Sequence, residues 1–194
     1  MSNGGLPTRT LAPVVSFELL DDAPAFTGDP NGDPFVVGQL ANLIPNAFVT
    51  GHAFARVAQN PFDDDTPGSP IVNAHQTFVI DVYWDLNGPL VSAFCGNWAV
   101  TITFESMGPD NFDFQVVAPD PGVPFGCNQP DNPDRNSRIY HASFTVPQDN
   151  VQVDPQRGTT YELNVTLALL AQCDNLPSGI VGFIALEDIL FFSA

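Results

Sequence analysis

The chain contains no lysine, and its only permanently cationic side chains are those of five arginines. Its 22 aspartates and glutamates outnumber them, which gives a formal net charge of −17 over 194 residues. Such a surface has no cationic stripe with which to displace counterions from phosphate, so nucleic acid and anionic lipid are excluded as favoured partners. The absence of lysine also excludes Schiff-base chemistry.

Long apolar runs and catalytic signatures are absent as well. No stretch is long enough to span a bilayer, and the first residues lack the basic start and apolar core of a secretory signal. We therefore expect no direct membrane insertion, and we favour an extracellular or surface-exposed location without assigning a compartment. HExxH, GxSxG, P-loop and GxGxxG motifs are also missing, so we expect the chain not to be an enzyme.

Cysteine is scarce. Cys95, Cys127 and Cys173 are too few for a disulfide scaffold, and no CxxC pair suggests zinc binding or thiol exchange. Two alternatives stay open: one disulfide with one spare thiol, or three free thiols. A bridge from Cys127 would clamp the proline-rich loop at residues 119–136.

Alternation of apolar and polar residues is what the chain has in abundance. Residues 76–105 contain two such segments, and a period of two is typical of half-buried strands. Their predicted inward residues are Phe78, Ile80, Val82, Trp84 and Leu86, then Trp98, Val100, Ile102 and Phe104. Further strands are predicted at residues 14–20, 47–58, 112–118, 137–146, 160–173 and 179–194.

Apolar faces of this kind need a second layer to cover them. We therefore predict an all-β fold, a single antiparallel β-sandwich of about eight to nine strands that is jelly-roll or Greek-key-like. The sandwich domain comprises residues 14–194, and residues 1–13 form a flexible N-terminal lead or arm.

The residues of the first and last predicted strands of the sandwich indicate self-association. The last strand is apolar on both parities, which indicates burial on both faces, and lysine, the usual residue that protects edge strands, is absent. We predict a structural, self-associating subunit of an extracellular filament, appendage or shell, whose main partners are copies of itself. An arrangement in which both terminal strands pair within one subunit stays open. The predicted subunit contacts are Val14, Val15, Phe17, Leu19, Ile184, Leu186, Ile189, Leu190, Phe191 and Phe192.

Two acidic loops are candidate calcium sites, although no cofactor is required. The first departs from the EF-hand pattern, with Pro34 in place of the glycine and Leu40 in place of the bidentate glutamate. The alternative function is an extracellular carbohydrate-binding module, with or without calcium, in which Tyr83 and the second loop contact a glycan while Trp84 and Trp98 belong to the core. The candidate calcium ligands are Asp29, Asn31, Asp33, Asp63, Asp64 and Asp65.

Overall fold

The structure is a computed structural model that describes residues 9–11, 14–20, 33–34, 36–37, 49–59, 71–89, 91, 96–108, 112–118, 123–125, 137–171 and 177–193. These residues contain thirteen β-strands and no α-helix. The strands are β1 (Arg9–Leu11), β2 (Val14–Leu20), β3 (Asp33–Pro34), β4 (Val36–Val37), β5 (His52–Ala58), β6 (Ile71–Asn73), β7 (Phe78–Asn87), β8 (Gly96–Met107), β9 (Phe114–Val117), β10 (Val123–Phe125), β11 (Ser137–Val146), β12 (Thr159–Ala171) and β13 (Pro177–Phe192).

The all-β prediction is confirmed, and β2 and β11 have the predicted bounds. Eight of the strands have four or more residues. The other five have two or three residues, which is too short for an alternating pattern to reveal them. One of these five is β1, which pairs with β9 of its own chain although its residues belong to the segment predicted to be a flexible lead or arm.

The strands form two sheets. The larger has the order β1-β9-β8-β12-β13-β4, with β10 beside β8 and β6 beside β13. The smaller has the order β2-β11-β7-β5-β3. The prediction of an antiparallel-only fold is wrong, because β1 runs parallel to β9 and β6 parallel to β13 in the larger sheet. Short segments that reach a sheet through long connections are free of hairpin geometry and can add in either direction.

The two sheets face each other across one hydrophobic core. Consecutive strands β7 and β8 lie in different sheets, and the Trp84 ring of β7 meets the Trp98 ring of β8 edge-on at 5.8 Å between centroids. Tyr140 of β11 stacks on Trp84 at 5.3 Å. Each such aromatic pair contributes about 0.5–1.5 kcal/mol beyond its burial, so this cluster holds the two layers together. Both tryptophans lie in the core, as predicted.

Strand β13 contains a β-bulge opposite β12. Ile184 lies opposite Val165 and Ile189 opposite Tyr161, so five residue steps on β13 match four on β12. One extra residue exchanges the two faces of a strand from that point onward, because side chains alternate with a period of two.

This bulge explains why β13 is apolar on both parities. Ile184 faces the core before the bulge, and Ile189 and Phe191 face it afterwards. Phe183, which lies on the opposite face, is 52% exposed. The prediction that the strand is buried on both faces is therefore wrong, since the sequence pattern combined two half-buried segments of opposite parity.

Candidate functional site

Among the residues that the structure describes, the outer surface of the larger sheet carries no charged side chain over a continuous area of four strands. Its residues come from β8, β9, β12 and β13, and they alternate along each strand with core residues. We refer to this surface as the uncharged face. Its members are Asn97, Ala99, Thr101, Thr103, Gln115, Val117, Asn164, Thr166, Ala168, Leu170, Val181, Phe183 and Ala185.

Strand register places the most exposed members of the uncharged face side by side. Thr166 lies between Thr101 on β8 and Phe183 on β13, and Asn164 lies opposite Ala185. Thr166, Phe183 and Ala185 are exposed, while Thr101 and Asn164 are half-buried. Small side chains beside one aromatic ring give a shallow surface that another flat surface can approach closely.

The uncharged face is large enough to matter for association. With strands about 4.8 Å apart and about 3.4 Å per residue, members that span three to seven residues on each of the four strands cover roughly 400 Å². Apolar patches of about 300–600 Å² on a monomer are often functional, and this face has a similar size although its side chains are a mixture of apolar and neutral polar ones. None of its members contributes to the chain's formal net charge of −17, so covering the face would not bury a carboxylate that belongs to it.

Two glutamates mark one end of the uncharged face. Glu105 on β8 lies directly opposite Glu162 on β12. Like charges that face each other across two strands are mutually unfavourable and favour a solvated location. The pair therefore limits the area that a partner can cover without burying carboxylates.

The outer surface of the smaller sheet is different, because it contains a network of buried charges. Asp81 on β7 is 6% exposed. Arg56 Nε on β5 donates to Asp81 Oδ2 at 3.0 Å, and His141 Nε2 on β11 lies 3.0 Å from Asp81 Oδ1. Tyr83 stacks on the His141 ring at 4.1 Å with the planes 2° apart. The cation and the histidine compensate the carboxylate that the sheet buries.

The environment of Asp81 favours its charged form. Burial by itself raises the pKa of Asp81, but hydrogen bonds from His141, Ser143 and Arg56, together with the positive charge of His141, outweigh it and hold the pKa below the usual 3.8. Ser143 bonds the carboxylate, so the network does not place this hydroxyl as a nucleophile against the histidine. The arrangement is suited to joining three strands.

The alternation that predicts β7 places Asp81 on the polar side of the strand, opposite to the inward residues. The partners of this aspartate lie 25 and 60 residues away, and only strand register brings them together. The local pattern held no signal of the network, because an aspartate on the polar side of a half-buried strand is ordinarily exposed to solvent. Among the residues that the structure describes, no group of three or more potential ligands could hold a metal ion.

Three of the predicted subunit contacts belong to the core of their own chain. Ile184, Ile189 and Phe191 are buried between the two sheets. Leu190 and Phe192 are half-buried. Leu186 pairs with Leu163, and its side chain lies outside the described part of the structure.

The predicted contacts in the N-terminal strand are located only through the backbone. Strand β2 pairs along its whole length with β11, the register placing three of its residues opposite core residues of β11. On its other side, β2 has no neighbour among the strands that the structure describes. The four predicted contacts in this strand are Val14, Val15, Phe17 and Leu19.

The remaining predicted ligands and contacts are only partly located. Asp33 lies in β3 opposite Ala53. Tyr83 is 9% exposed and covered by His141, so it does not form an open platform for a glycan. The residues outside the described part of the chain are Asp29, Asn31, Asp63, Asp64, Asp65, Cys95, Cys127 and Cys173, so the calcium sites and the disulfide stay predictions.

Comparisons with protein-family models, with curated proteins and with solved structures found no match. The described part of the chain offers no helix that could span a membrane. The class of protein is therefore defined by its own geometry: a two-sheet β-sandwich with a neutral face on one side and a buried charge network on the other.

Proposed function

We propose that this protein is a structural, self-associating subunit of an extracellular filament, appendage or shell, and that the uncharged face is a contact between copies. The observation that carries the proposal is that this face bears no charge and exposes Phe183 in a chain of net charge −17. Phe183 is one exposed ring among small and neutral polar side chains, so a partner that covers the face buries an apolar anchor without desolvating a charge.

The strand order of the smaller sheet supports the finer part of the proposed fold. Taken without the two-residue strand β3, its order is β2-β11-β7-β5. In chain order, β5, β7 and β11 lie side by side, and β2 lies next to β11. These strands are successive only within their own sheet, because β6 and then β8, β9 and β10 of the larger sheet come between them in the chain. Three side-by-side strands with a fourth beside an end one still have the spatial order of a Greek key, and this order supports a sandwich of the Greek-key or jelly-roll kind.

The size of the uncharged face predicts a weak contact when it acts alone. An area of roughly 400 Å² is about half of the 800 Å² that each partner buries in a standard interface. At about 25 cal/mol per Å², burial of its apolar part on two copies contributes several kcal/mol, while association costs about 4–15 kcal/mol. A filament or shell therefore needs a second contact.

The open edge of β2 is our candidate for the second contact. Edge strands present unpaired N–H and C=O groups, to which a strand of another copy can add. A face and an edge are different surfaces of one subunit, so a subunit can contact one copy through its face and another copy through its edge, and the two contacts together can continue from copy to copy. Such contacts produce the rings, filaments or shells that the proposal requires.

A charge placed at the centre of the uncharged face tests the contact. We expect Thr166→Glu to weaken association at least ~10-fold, because an interface would have to bury the new carboxylate. Sedimentation velocity over a concentration series measures the effect. Thr77→Glu is the matched control, since Thr77 is exposed, lies outside the face and receives the same change of charge.

Two results would overturn the proposal. A wild-type chain that stays monomeric at the highest soluble concentration refutes self-association itself. Equal association of Thr166→Glu and Thr77→Glu refutes the role of the uncharged face. Deletion of residues 1–20 is less informative, because it also removes β2 from its pairing with β11.

The alternative of a carbohydrate-binding module stays an untested prediction. Tyr83, the aromatic side chain predicted to contact a glycan, is 9% exposed, and the second predicted contact, the loop at Asp63, Asp64 and Asp65, lies outside the described residues. A glycan array that retains the protein would restore this alternative.

A further inference from the structure

A second histidine, His75, lies between a carboxylate and a hydroxyl at the end of the chain. His75 Nδ1 lies 2.5 Å from Asp149 Oδ1, and His75 Nε2 lies 2.7 Å from the Ser193 hydroxyl oxygen. The two partners are separated from His75 by 74 and 118 positions, so this arrangement is a product of the fold. All three side chains are accessible to solvent.

The chemistry of the two neighbours determines the proton positions on His75. An ionised carboxylate has no proton to donate, so Nδ1 carries the hydrogen that it shares with Asp149. In the neutral ring Nε2 is then an acceptor, and the Ser193 hydroxyl donates to it. This is the tautomer and the direction of hydrogen bonding in which a histidine acts as general base towards a serine.

Backbone hydrogen bonds hold the three residues in place. Ala74 N–H donates to Phe192 O at 2.9 Å, which fixes the residue before His75 against the residue before Ser193. Asp149 N–H donates to Ala74 O at 2.9 Å. Asp149 has φ of 62°, a conformation that costs a non-glycine residue energy and that often occurs at functional sites. The site is therefore positioned before any ligand arrives.

We propose that Ser193, His75 and Asp149 form a hydrolytic triad that cleaves small uncharged carboxylic esters, an activity beyond the structural role and contrary to the expectation that the chain is not an enzyme. Ser193 Oγ attacks the ester carbonyl carbon while its proton moves to His75 Nε2. The tetrahedral adduct then expels the alcohol oxygen, which takes that proton. Water releases the acid from the acyl-serine by the same route, and the enzyme is regenerated. The net charge of −17 favours neutral over anionic esters.

The openness of the site limits the expected rate. A positioned general base contributes about 10²–10⁴-fold. Since the triad faces solvent, water must stabilise the developing oxyanion, and we expect an acceleration near the lower end of this range. Esters with good leaving groups, such as 4-nitrophenyl acetate, are the substrates that such a site can turn over.

The chain offers a matched control for the role of the hydroxyl. His52 is also exposed and lies near a carboxylate, with its Nδ1 3.4 Å from Asp85 Oδ1. Among the described hydrogen bonds, none joins the His52 ring to a hydroxyl. His52→Gln therefore removes an imidazole of similar exposure without touching the triad.

The test combines hydrolysis of 4-nitrophenyl acetate with chemical labelling of the full-length chain. We expect Ser193→Ala and His75→Gln each to lower the protein-dependent rate at least ~10-fold. His52→Gln should leave the rate unchanged. Phenylmethylsulfonyl fluoride should sulfonylate Ser193 with loss of fluoride in wild type, and labelling should fall at least ~10-fold in His75→Gln. Peptide mass spectrometry locates the adduct.

Three outcomes would refute the triad. The first is a Ser193→Ala variant that hydrolyses the ester as fast as wild type does. The second is an equal loss of the hydrolysis rate in His52→Gln and His75→Gln. The third is labelling of Ser193 no faster in the folded chain than in the urea-unfolded one. If His75→Gln lowers the melting temperature but changes neither rate nor labelling, the network only anchors the end of β13. None of these readouts depends on self-association, so the two proposals fail separately.

Discussion

At the scale of single residues, all three histidines of the chain lie beside an aspartate, and what surrounds each pair determines what it can do. His141 and Asp81 are largely shielded from solvent, and Asp81 also accepts a hydrogen bond from Arg56, so this group balances a charge inside the sheet. His75 and Asp149 are exposed and bond a serine, so the same two residue types form a candidate catalytic group.

Removal of the Asp81 charge tests the structural role of the first pair. We expect Asp81→Asn to lower the free energy of unfolding by about 3 kcal/mol at neutral pH, because Arg56 loses the carboxylate that compensates its largely buried charge. Urea unfolding measures the loss. Asp85→Asn is the control on the same strand and face; its side chain is 27% exposed, and we expect it to cost less than about 1 kcal/mol.

The cost of Asp81→Asn should depend on pH. The pKa of Asp81 in the folded chain lies below the usual 3.8, so its stabilisation is complete above pH 3.8 and is lost as the pH falls through the folded value. The difference between wild type and Asp81→Asn should therefore shrink in acid. A cost that stays constant well below pH 3.8, or that equals the cost of Asp85→Asn, contradicts this role.

At the scale of elements, the distance between neighbouring strands limits which side chain fits at particular positions, and at these positions it matters more than hydrophobicity does. Gly96, the first residue of β8, lies opposite Ala171 of β12. A Cβ at Gly96 would lie 1.8 Å from the Leu170 carbonyl oxygen. The start of this pairing therefore requires glycine, because the atom in the way belongs to the backbone.

Substitution of Gly96 tests this close approach. We expect Gly96→Ala to lower the free energy of unfolding by about 2–3 kcal/mol, because β8 must shift away from β12. Gly108 lies just beyond the other end of β8, and a Cβ there would have no neighbouring atom within 4 Å. Gly108→Ala should change stability by less than about 1 kcal/mol. Thermal and urea unfolding of the two variants decide the matter, and equal costs would contradict the close approach.

At the scale of the whole molecule, the charge of −17 opposes any contact between copies, and the uncharged face reduces that opposition locally. The proposed contact buries neutral side chains while the remaining carboxylates repel at a distance. Salt screens this repulsion and leaves apolar burial largely intact.

Association should therefore become stronger as salt is added. Between about 20 mM and about 500 mM sodium chloride the Debye length falls from roughly 20 Å to about 4 Å, and we expect the dissociation constant to decrease at least ~10-fold. Sedimentation velocity at the two salt concentrations measures it. A contact that salt weakens would instead be carried by ion pairs, and the uncharged face would not be responsible.

The sequence by itself determined the positions of most long strands and which of their residues face inward. The bounds of β2 and β11, and the inward placement of Trp84 and Trp98, follow from local alternation, because each apolar side chain avoids water wherever its strand is placed. The net charge of −17 was also readable without a structure, and the expectation that polyanionic partners are disfavoured stays a prediction.

The tertiary structure alone decided which sheet each strand joins, where β13 bulges and which side chains meet. Pairing between strands far apart in sequence is set by the packing of the whole core, and long connections between strands leave no local trace of it. Asp81 therefore contacts Arg56 and His141 only because strand register places them side by side. His75 contacts Ser193 only because β6 runs beside the end of β13. The charge network at Asp81 and the proposed triad at Ser193 both depend on those long-range pairings.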